Sequence, residues 1–346
     1  MAGYRVVWAN EFIPAARETY RANAPTTIVN GADIRTLTAE SVLAEAGLKV
    51  GELDILDGSP PCASFSTAGK REKGWGQVKS YSDSAQRTDD LFFEYARLLR
   101  GIQPRAFVAE NVSGLVKGTA KGYFLEILRE LRACGYRVGA KLLDAQWLGV
   151  PQQRVRLIFV GVREDLQRDP VFPKPLPFRY GIAEALGVDR RLFVEEATGH
   201  NSVGLGHHRY VERTGQPIPT ILAARPIRVS NTERSEASME GYAVGKEWAK
   251  LRPGEQSSRY FSLVRCDPSR PSPTVTAKGG DVTAASVTHP SEPRKFTIAE
   301  LRRLCGFPDD FALTGTYAQQ WERLGRAVPP PMMAAVAAAL RDEVLT

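Results

Sequence analysis

Apolar residues in the first half of the chain alternate between compact strand-like runs and stretches at helical spacing. Tyr4–Ala9 (YRVVWA) predicts a buried strand, and Phe12–Ala22 carries helical spacing up to an Asn-Ala-Pro stop. Leu53–Leu56 is a short apolar strand running into Gly58-Ser59-Pro60-Pro61. Leu91–Leu99 (LFFEYARLL) repeats apolar residues with helical period, and Pro104 then precedes the strand Ala106–Ala109. Tyr123–Ala133 reads as a helix closed by Gly135, and Leu157–Val162 as a further strand. This β–α alternation predicts an α/β fold with an open, mostly parallel sheet.

The pattern changes after about residue 164. Pro170 through Phe178 (PVFPKPLPF) is proline-rich and reads as a boundary. The stretch 180–290 is rich in Gly, Ser, Thr, Arg and Pro, with weak periodicity. Two short segments there look alike, Pro217–Ala223 (PIPTILA) and Pro271–Ala277 (PSPTVTA), but two copies do not make a repeat architecture. Helical signal returns at Thr297–Cys305 and Pro331–Leu340. The expected organisation is residues 1–169, an inserted or appended region at 170–290, and a C-terminal segment, 291–346, that returns to the first part.

Composition narrows the function classes. The chain has 346 residues, with 46 Lys and Arg against 39 Asp and Glu, a formal net charge of +7. That balance permits a polyanionic partner without proving one. The four cysteines, Cys62, Cys134, Cys266 and Cys305, are far apart and form no Cys-x-x-Cys pair. A disulfide scaffold and a structural metal site are therefore not expected. No apolar run has the length of a membrane span, and Met1-Ala2-Gly3-Tyr4-Arg5 lacks a signal-peptide core. The expectation is a cytoplasmic, nucleoid-associated protein with no membrane and no metal.

Three clusters could carry chemistry. In Asp57-Gly58-Ser59-Pro60-Pro61-Cys62, followed by Ser64-Phe65-Ser66, a rigid turn holds a cysteine after a strand. Ligand crevices of doubly wound sheets lie at that end. A thiolate there is a nucleophile if nearby cations lower its pKa, whereas an isolated cysteine is ordinarily buried and inert. Glu110-Asn111-Val112 also follows a strand, where a single acid is most often a solvated loop residue. In Gln152-Gln153-Arg154-Val155-Arg156 the two arginines alternate by two, so both point to one face of an extended segment. Their plain reading is a pair of strand-edge arginines.

Together these residues resemble the C5-cytosine DNA methyltransferases, along nearly the whole chain and in the family's order. Pro60-Pro61-Cys62 with Phe65-Ser66 matches the nucleophile motif, and Glu110-Asn111-Val112 the Glu-Asn-Val motif. Gln152, Arg154 and Arg156 match Gln-x-Arg-x-Arg, and Arg270-Pro271-Ser272-Pro273-Thr274 the segment after the target-recognition region. Gly325-Arg326-Ala327-Val328-Pro329-Pro330 matches the closing motif, with Arg326 in place of the usual Asn. The resemblance implies a doubly wound, Rossmann-like methyltransferase sheet with a smaller, irregular target-recognition domain at 170–290. It implies methyl transfer from S-adenosylmethionine to C5 of cytosine in duplex DNA, on a flipped-out base. The catalytic residues are then Cys62 as nucleophile at C6, Glu110 as acid at N3, Arg156 as donor to O2, and Arg154 as support for the thiolate or a phosphate.

The same resemblance gives the cofactor to Glu11, Phe12, Asp33, Ile34, Pro60 and Leu91. Glu11 suits ribose hydroxyls and Phe12 an adenine face. Asp33-Ile34 suits the adenine edge, and Leu91 forms an apolar wall. Without the resemblance, Glu11 is equally a first-turn helix acid. Ala63–Ser82, with Gly69, Gly74, Gly76 and four basic residues, resembles the mobile loop that closes over DNA. One family feature is missing from this sequence, the opening strand with its Phe-x-Gly-x-Gly loop. The expectation is a sheet lacking its first βα unit, through truncation or because a second polypeptide supplies it. The alternatives are a tRNA-methylating relative, against which the Arg-rich 180–290 stretch argues, and an inactive DNA-binding subunit.

Overall fold

The computed structural model describes residues 2–60, 79–81, 84–86, 90–117, 120–187, 193–197, 208–212, 227 and 229–346. They group into two compact units. One comprises Met1–Leu143, Val155–Pro173 and Ala334–Thr346; the other comprises Asp144–Arg154 and Lys174–Met333.

Unit one contains β1 (Trp8–Asn10), α1 (Pro14–Asn23), β2 (Ile28–Asn30), α2 (Ala39–Ala46) and β3 (Ile55–Gly58). The short strands β4 (Lys79–Tyr81) and β5 (Ser84–Gln86) follow, then α3 (Leu91–Ile102), β6 (Ala106–Val112), α4 (Ala120–Ala133), β7 (Tyr136–Asp144) and β8 (Val155–Arg163). Four strands form one sheet in the order β3-β6-β8-β7, while β1 and β2 pair separately and in parallel. The sheet is mixed. β3 and β6 run parallel, as expected, but β8 runs antiparallel to β6. Apolar periodicity reports burial on a sheet face and not strand direction, so the sequence could not show this.

Helical spacing on α3 buries Leu91, Phe92, Tyr95, Ala96, Leu98, Leu99 and Ile102. The helix stops at Gln103, which takes a left-handed conformation before Pro104. The Tyr95 hydroxyl lies 3.0 and 3.2 Å from the carbonyls of Leu56 and Val108, tying α3 to two adjacent strands. Ala106–Ala109 of β6 and Leu157–Phe159 of β8 contribute to the core with Phe92, Ile127, Leu131 and Tyr136. α2 is fixed by a reciprocal Thr38–Ser41 capping box and ends at left-handed Gly47.

Unit two contains α5 (Ile182–Leu186), β9 (Phe193–Ala197), β10 (His208–Glu212), α6 (Asn231–Glu236) and α7 (Ala243–Trp248). Then come β11 (Val264–Arg265), β12 (Val287–Thr288), α8 (Ile298–Leu304), α9 (Tyr317–Arg326) and the start of α10 (Pro330–Glu343). Strands here are short and paired two by two. The core gathers Tyr180, Val275, Phe296, Leu301, Leu304 and Trp321. Buried charges in this unit are matched. Arg294 donates to both oxygens of Glu300 at 2.7 and 2.9 Å, and Lys295 donates to the carbonyls of Gly279 and Asp281.

Gly161 of β8 sits opposite Phe107 of β6, and a Cβ on Gly161 would lie 1.9 Å from the Phe107 ring. Gly161→Ala should therefore destabilise the protein by about 1–3 kcal/mol through overpacking. Thermal unfolding of the variant measures this, and the double variant Gly161→Ala with Phe107→Leu should recover part of the loss.

Candidate active site

The carboxyl ends of β3 and β6 place the first group of expected residues. Strand alternation sends Glu110 and Asn111 of β6 to opposite faces. Antiparallel pairing sets Val112 opposite Arg156 and Glu110 opposite Ile158. Glu110 and Arg156 are thus diagonal neighbours on one face, within reach of long side chains. Arg156 Nε lies 2.7 Å from Glu110 Oε1, with both side chains largely shielded from solvent. Desolvation pulls the Arg156 pKa below its usual value, and the Glu110 carboxylate opposes that shift. Asn111 is buried, and its Nδ2 donates to the Pro60 carbonyl at 3.2 Å, fixing the turn that follows β3. Gly58 is needed at that turn, because a Cβ there would lie 2.6 Å from the Tyr95 ring. Cys62, Phe65, Ser66 and, except for the β4 residues, the Ala63–Ser82 loop lie outside the described residues.

A residue not singled out from the sequence joins this group. Asp57 keeps accessible surface, yet protein atoms crowd its carboxyl and Glu110 repels it. Desolvation first and Glu110 second push it up to about 6, against the Gly58 N–H, which favours the charged form. Tyr20 of α1 and Tyr95 of α3 both feel its charge. The available signal was an acid next to the end of a parallel strand, where a second acid, Glu110, lies near the end of the neighbouring strand.

The expected cofactor residues converge in unit one. The Glu11 N–H donates to the Asn30 carbonyl at 3.0 Å, extending the β1–β2 pairing by one residue. Asn10 Nδ2 donates to the Ala32 carbonyl at 2.9 Å, which brings the loops after β1 and β2 side by side. Glu11 Oε1 accepts from the Ile13 N–H at 2.8 Å, and burial raises the Glu11 pKa. Arg17 reaches back to the Glu11 carbonyl at 3.2 Å. Asp33 accepts from the Arg35 N–H, while Arg35 pairs with both Asp33 and Asp90, the residue before α3. Arg97 of α3 donates to the Ile34 carbonyl at 3.0 Å. These bonds join the loops that carry Glu11, Asp33 and Ile34 and tie Arg35 to Asp90, the residue before Leu91.

Arg154 goes elsewhere. It is buried in unit two, where Nη1 donates to the Val275 carbonyl at 3.1 Å and Nη2 to the Gly325 carbonyl at 2.9 Å. Arg154 and Arg156 have different partners, Arg154 two carbonyls of unit two and Arg156 the Glu110 carboxylate. Gln152 accompanies Arg154, accepting from the Val275 N–H and donating to the Leu304 carbonyl, both at 3.4 Å. Backbone bonds join Gln153 to Ser272 and Ser272 to Pro151 at 2.8 and 2.9 Å.

Among the described residues no group of His, Cys, Asp and Glu is arranged to hold a metal, and no helix is long and apolar enough to cross a membrane. The sequence model of C-5 cytosine-specific DNA methylases matches residues 1–342. The chain is 30% identical over 340 residues to the Type II methyltransferase M1.HphI of Haemophilus parahaemolyticus, covering 98% of this chain and 81% of that one. It is 31% identical over 337 residues to M.BbvI of Brevibacillus brevis, covering 93% and 78%. Among solved structures, a DNA modification methyltransferase encoded within an E. coli prophage superposes with a TM-score of 0.72 at 23% identity, covering 100% of this chain and 94% of that one. DNMT2 of Spodoptera frugiperda superposes at 0.60 with 17% identity, covering 99% and 92%. These two show the same fold.

The Asp57 shift has a defined sign. Its folded pKa of about 6 exceeds the ordinary 3.8, so the folded protein holds this proton more tightly. The stabilisation is complete below 3.8 and is lost as pH rises through 6. Asp57→Asn should raise the melting temperature at pH 8 more than at pH 4, where the native carboxyl is already neutral. An equal gain at both values would exclude ionisation of Asp57 as its source.

Proposed function

From membership of the C-5 cytosine-specific DNA methylase family, to which this chain belongs, we infer that it transfers a methyl group to C5 of cytosine in duplex DNA through a covalent Cys62–C6 adduct. S-adenosylmethionine is the methyl donor, and when bound it supplies an electrophilic methyl carbon to C5. The nucleoside-like donor set supports this cofactor, with Glu11 for the ribose hydroxyls, Phe12 for the adenine face, and Asp33, Ile34 and Leu91 around the ring. Pro60 borders the same strand ends through its tie to Asn111.

The observation that carries the chemistry is the Glu110–Arg156 pair beside the Pro60 turn. Cytosine C5 is a weak nucleophile. A thiolate from Cys62 adds to C6, and the displaced electron pair moves toward N3 and O2. Glu110 faces N3 and supplies a proton or hydrogen bond there, and Arg156 donates to O2. C5 then bears enamine electron density and takes the methyl group. A base removes the C5 proton, the C5–C6 double bond re-forms, and the thiol leaves. Arg154, the proposed support for the thiolate or a phosphate, bonds to the Val275 and Gly325 carbonyls within unit two. The base must leave the helix for the thiolate to reach C6. We assign the region 170–290 to target recognition and residues 291–346 to a C-terminal segment that belongs with the catalytic part.

Wild-type protein should label duplex DNA with methyl groups and should leave tRNA unlabelled. Duplex DNA containing 5-fluorocytosine should trap a covalent complex, because fluorine cannot leave as a proton. Cys62→Ala should abolish trapping while DNA binding persists. Trapping by that variant would remove Cys62 from the mechanism.

Glu110→Gln keeps the shape of the side chain and removes its ability to take up and pass on a proton. Its methyl-transfer rate should fall by about 10²–10⁴. Arg156→Lys should also slow the reaction, since an ammonium does not reproduce the planar guanidinium fork. Single-turnover kinetics on saturating DNA separates these losses from weaker binding.

A further inference from the structure

Residues 257–263 of unit two form a tight loop whose backbone is fixed and whose tip is apolar. Ser257 is buried, and its Oγ donates to Glu247 Oε1 at 2.9 Å while accepting from the Arg259 and Tyr260 N–H groups at 3.1 and 3.0 Å. The Ser257 N–H donates to the Leu263 carbonyl at 2.9 Å, and the Leu263 N–H to the Tyr260 carbonyl at 2.7 Å. Gln256 Nε2 donates to the Phe261 carbonyl, so the peptide that bears the exposed ring is itself tied.

This scaffold delivers Phe261 to solvent at 85% exposure, the highest among the large hydrophobic residues described; the next is Val50 at 62%. Single exposed apolar residues are ordinary on protein surfaces. Phe261 differs in being presented by a loop with so many of its backbone groups bonded. Its neighbours are cationic. Arg259 is exposed and lies against the Tyr260 ring, 5.3 Å from its centroid. Lys246, Lys250 and Arg252 precede it in sequence, against Glu247 and Glu255. Glu247 is already engaged by Lys250 and Ser257, and the Glu255 side chain accepts from the Arg252 N–H. An aromatic tip within a cationic segment complements a polyanion that also offers flat apolar surfaces.

We propose that the Arg259-Tyr260-Phe261 loop is a duplex-DNA contact, in which Phe261 wedges against the bases while Arg259 holds a backbone phosphate. The proposal rests on the reading of the chain as a DNA methyltransferase and deepens it by naming a contact in the target-recognition region. A phenyl ring inserted at a base step stacks without requiring hydrogen bonds. The guanidinium supplies the salt-dependent part of the affinity.

The test uses the full chain and a fluorescein-labelled duplex of random sequence, with binding read by anisotropy across a salt series. Phe261→Ala should weaken binding by about tenfold, the scale of losing one aromatic stacking contact, without changing the salt slope. Phe261→Trp should keep most of the affinity. Arg259→Ala should lower the magnitude of the slope of log K against log salt by ~0.9, the effect of one lost phosphate contact. All three should unfold at the wild-type temperature, because the altered side chains are exposed. Wild-type affinity and slope in both alanine variants would overturn the proposal. So would loss of tRNA binding alone, or a change from dimer to monomer in sedimentation with DNA binding intact. If the wild-type protein neither binds nor methylates duplex DNA, the underlying functional reading fails, and the wild-type measurement alone reveals it.

Discussion

Glu110 and Arg156 can pair because β8 runs against β6. The described part of β6 ends at Val112 and β8 begins at Val155, so antiparallel pairing sets the end of one strand beside the start of the other. In a parallel pair Glu110 would instead lie near the last residues of β8, toward Arg163. The direction of one strand thus decides which arginine meets the acid. It also decides how firmly, since the pair is shielded from water and removal of either partner would strand the other's charge. Asn111, on the opposite face of β6, fixes the Pro60 carbonyl, so one strand supplies both the paired acid and the residue that holds the turn.

The long elements of the fold were legible because their apolar period is long enough to be distinctive. Leu91–Leu99 extends to Ile102, Tyr123–Ala133 starts at Ala120, and Thr297–Cys305 is observed with Thr297 as its cap. Three-residue strands such as Ile28–Asn30 carry no period to read. The helix Ala39–Ala46 was not anticipated; its Thr38 capping box and left-handed Gly47 close the two ends. At the site, motif spacing identified Glu110 and Arg156 but could not separate Arg154 from them. Residue spacing carries no account of partners, and Arg154 bonds to unit-two carbonyls while Arg156 pairs with Glu110.

The motifs therefore do two kinds of work. Gln152, Arg154, the Ser272 backbone, Val275 and Gly325 are brought together in unit two by buried hydrogen bonds. Segments far apart in sequence are joined there by side chains that reach backbone carbonyls, an arrangement that holds residues 152–154, the 272–275 segment and the ends of α8 and α9 with few residues. Such positions tolerate little change because each buried donor needs its acceptor. A sequence motif of this kind marks architecture as much as chemistry, and the two cannot be told apart by residue type.

Charge satisfaction gives a second view of these positions. In unit two Arg294 has both oxygens of Glu300, Lys295 has two carbonyls, and Arg154 has two more. Burial nevertheless lowers the Lys295 pKa to about 8. At the ends of β3 and β6, Arg156 is committed to Glu110, and Asp57 is left with the repulsion of that same acid, eased by the Gly58 N–H. Its carboxyl accordingly holds a proton up to about 6. Concentrated electrostatic tension of this kind is costly to the fold and is the usual mark of a place where charge must change during a reaction. The raised Asp57 carboxyl beside the Glu110–Arg156 pair is consistent with the proposed site at the ends of β3 and β6.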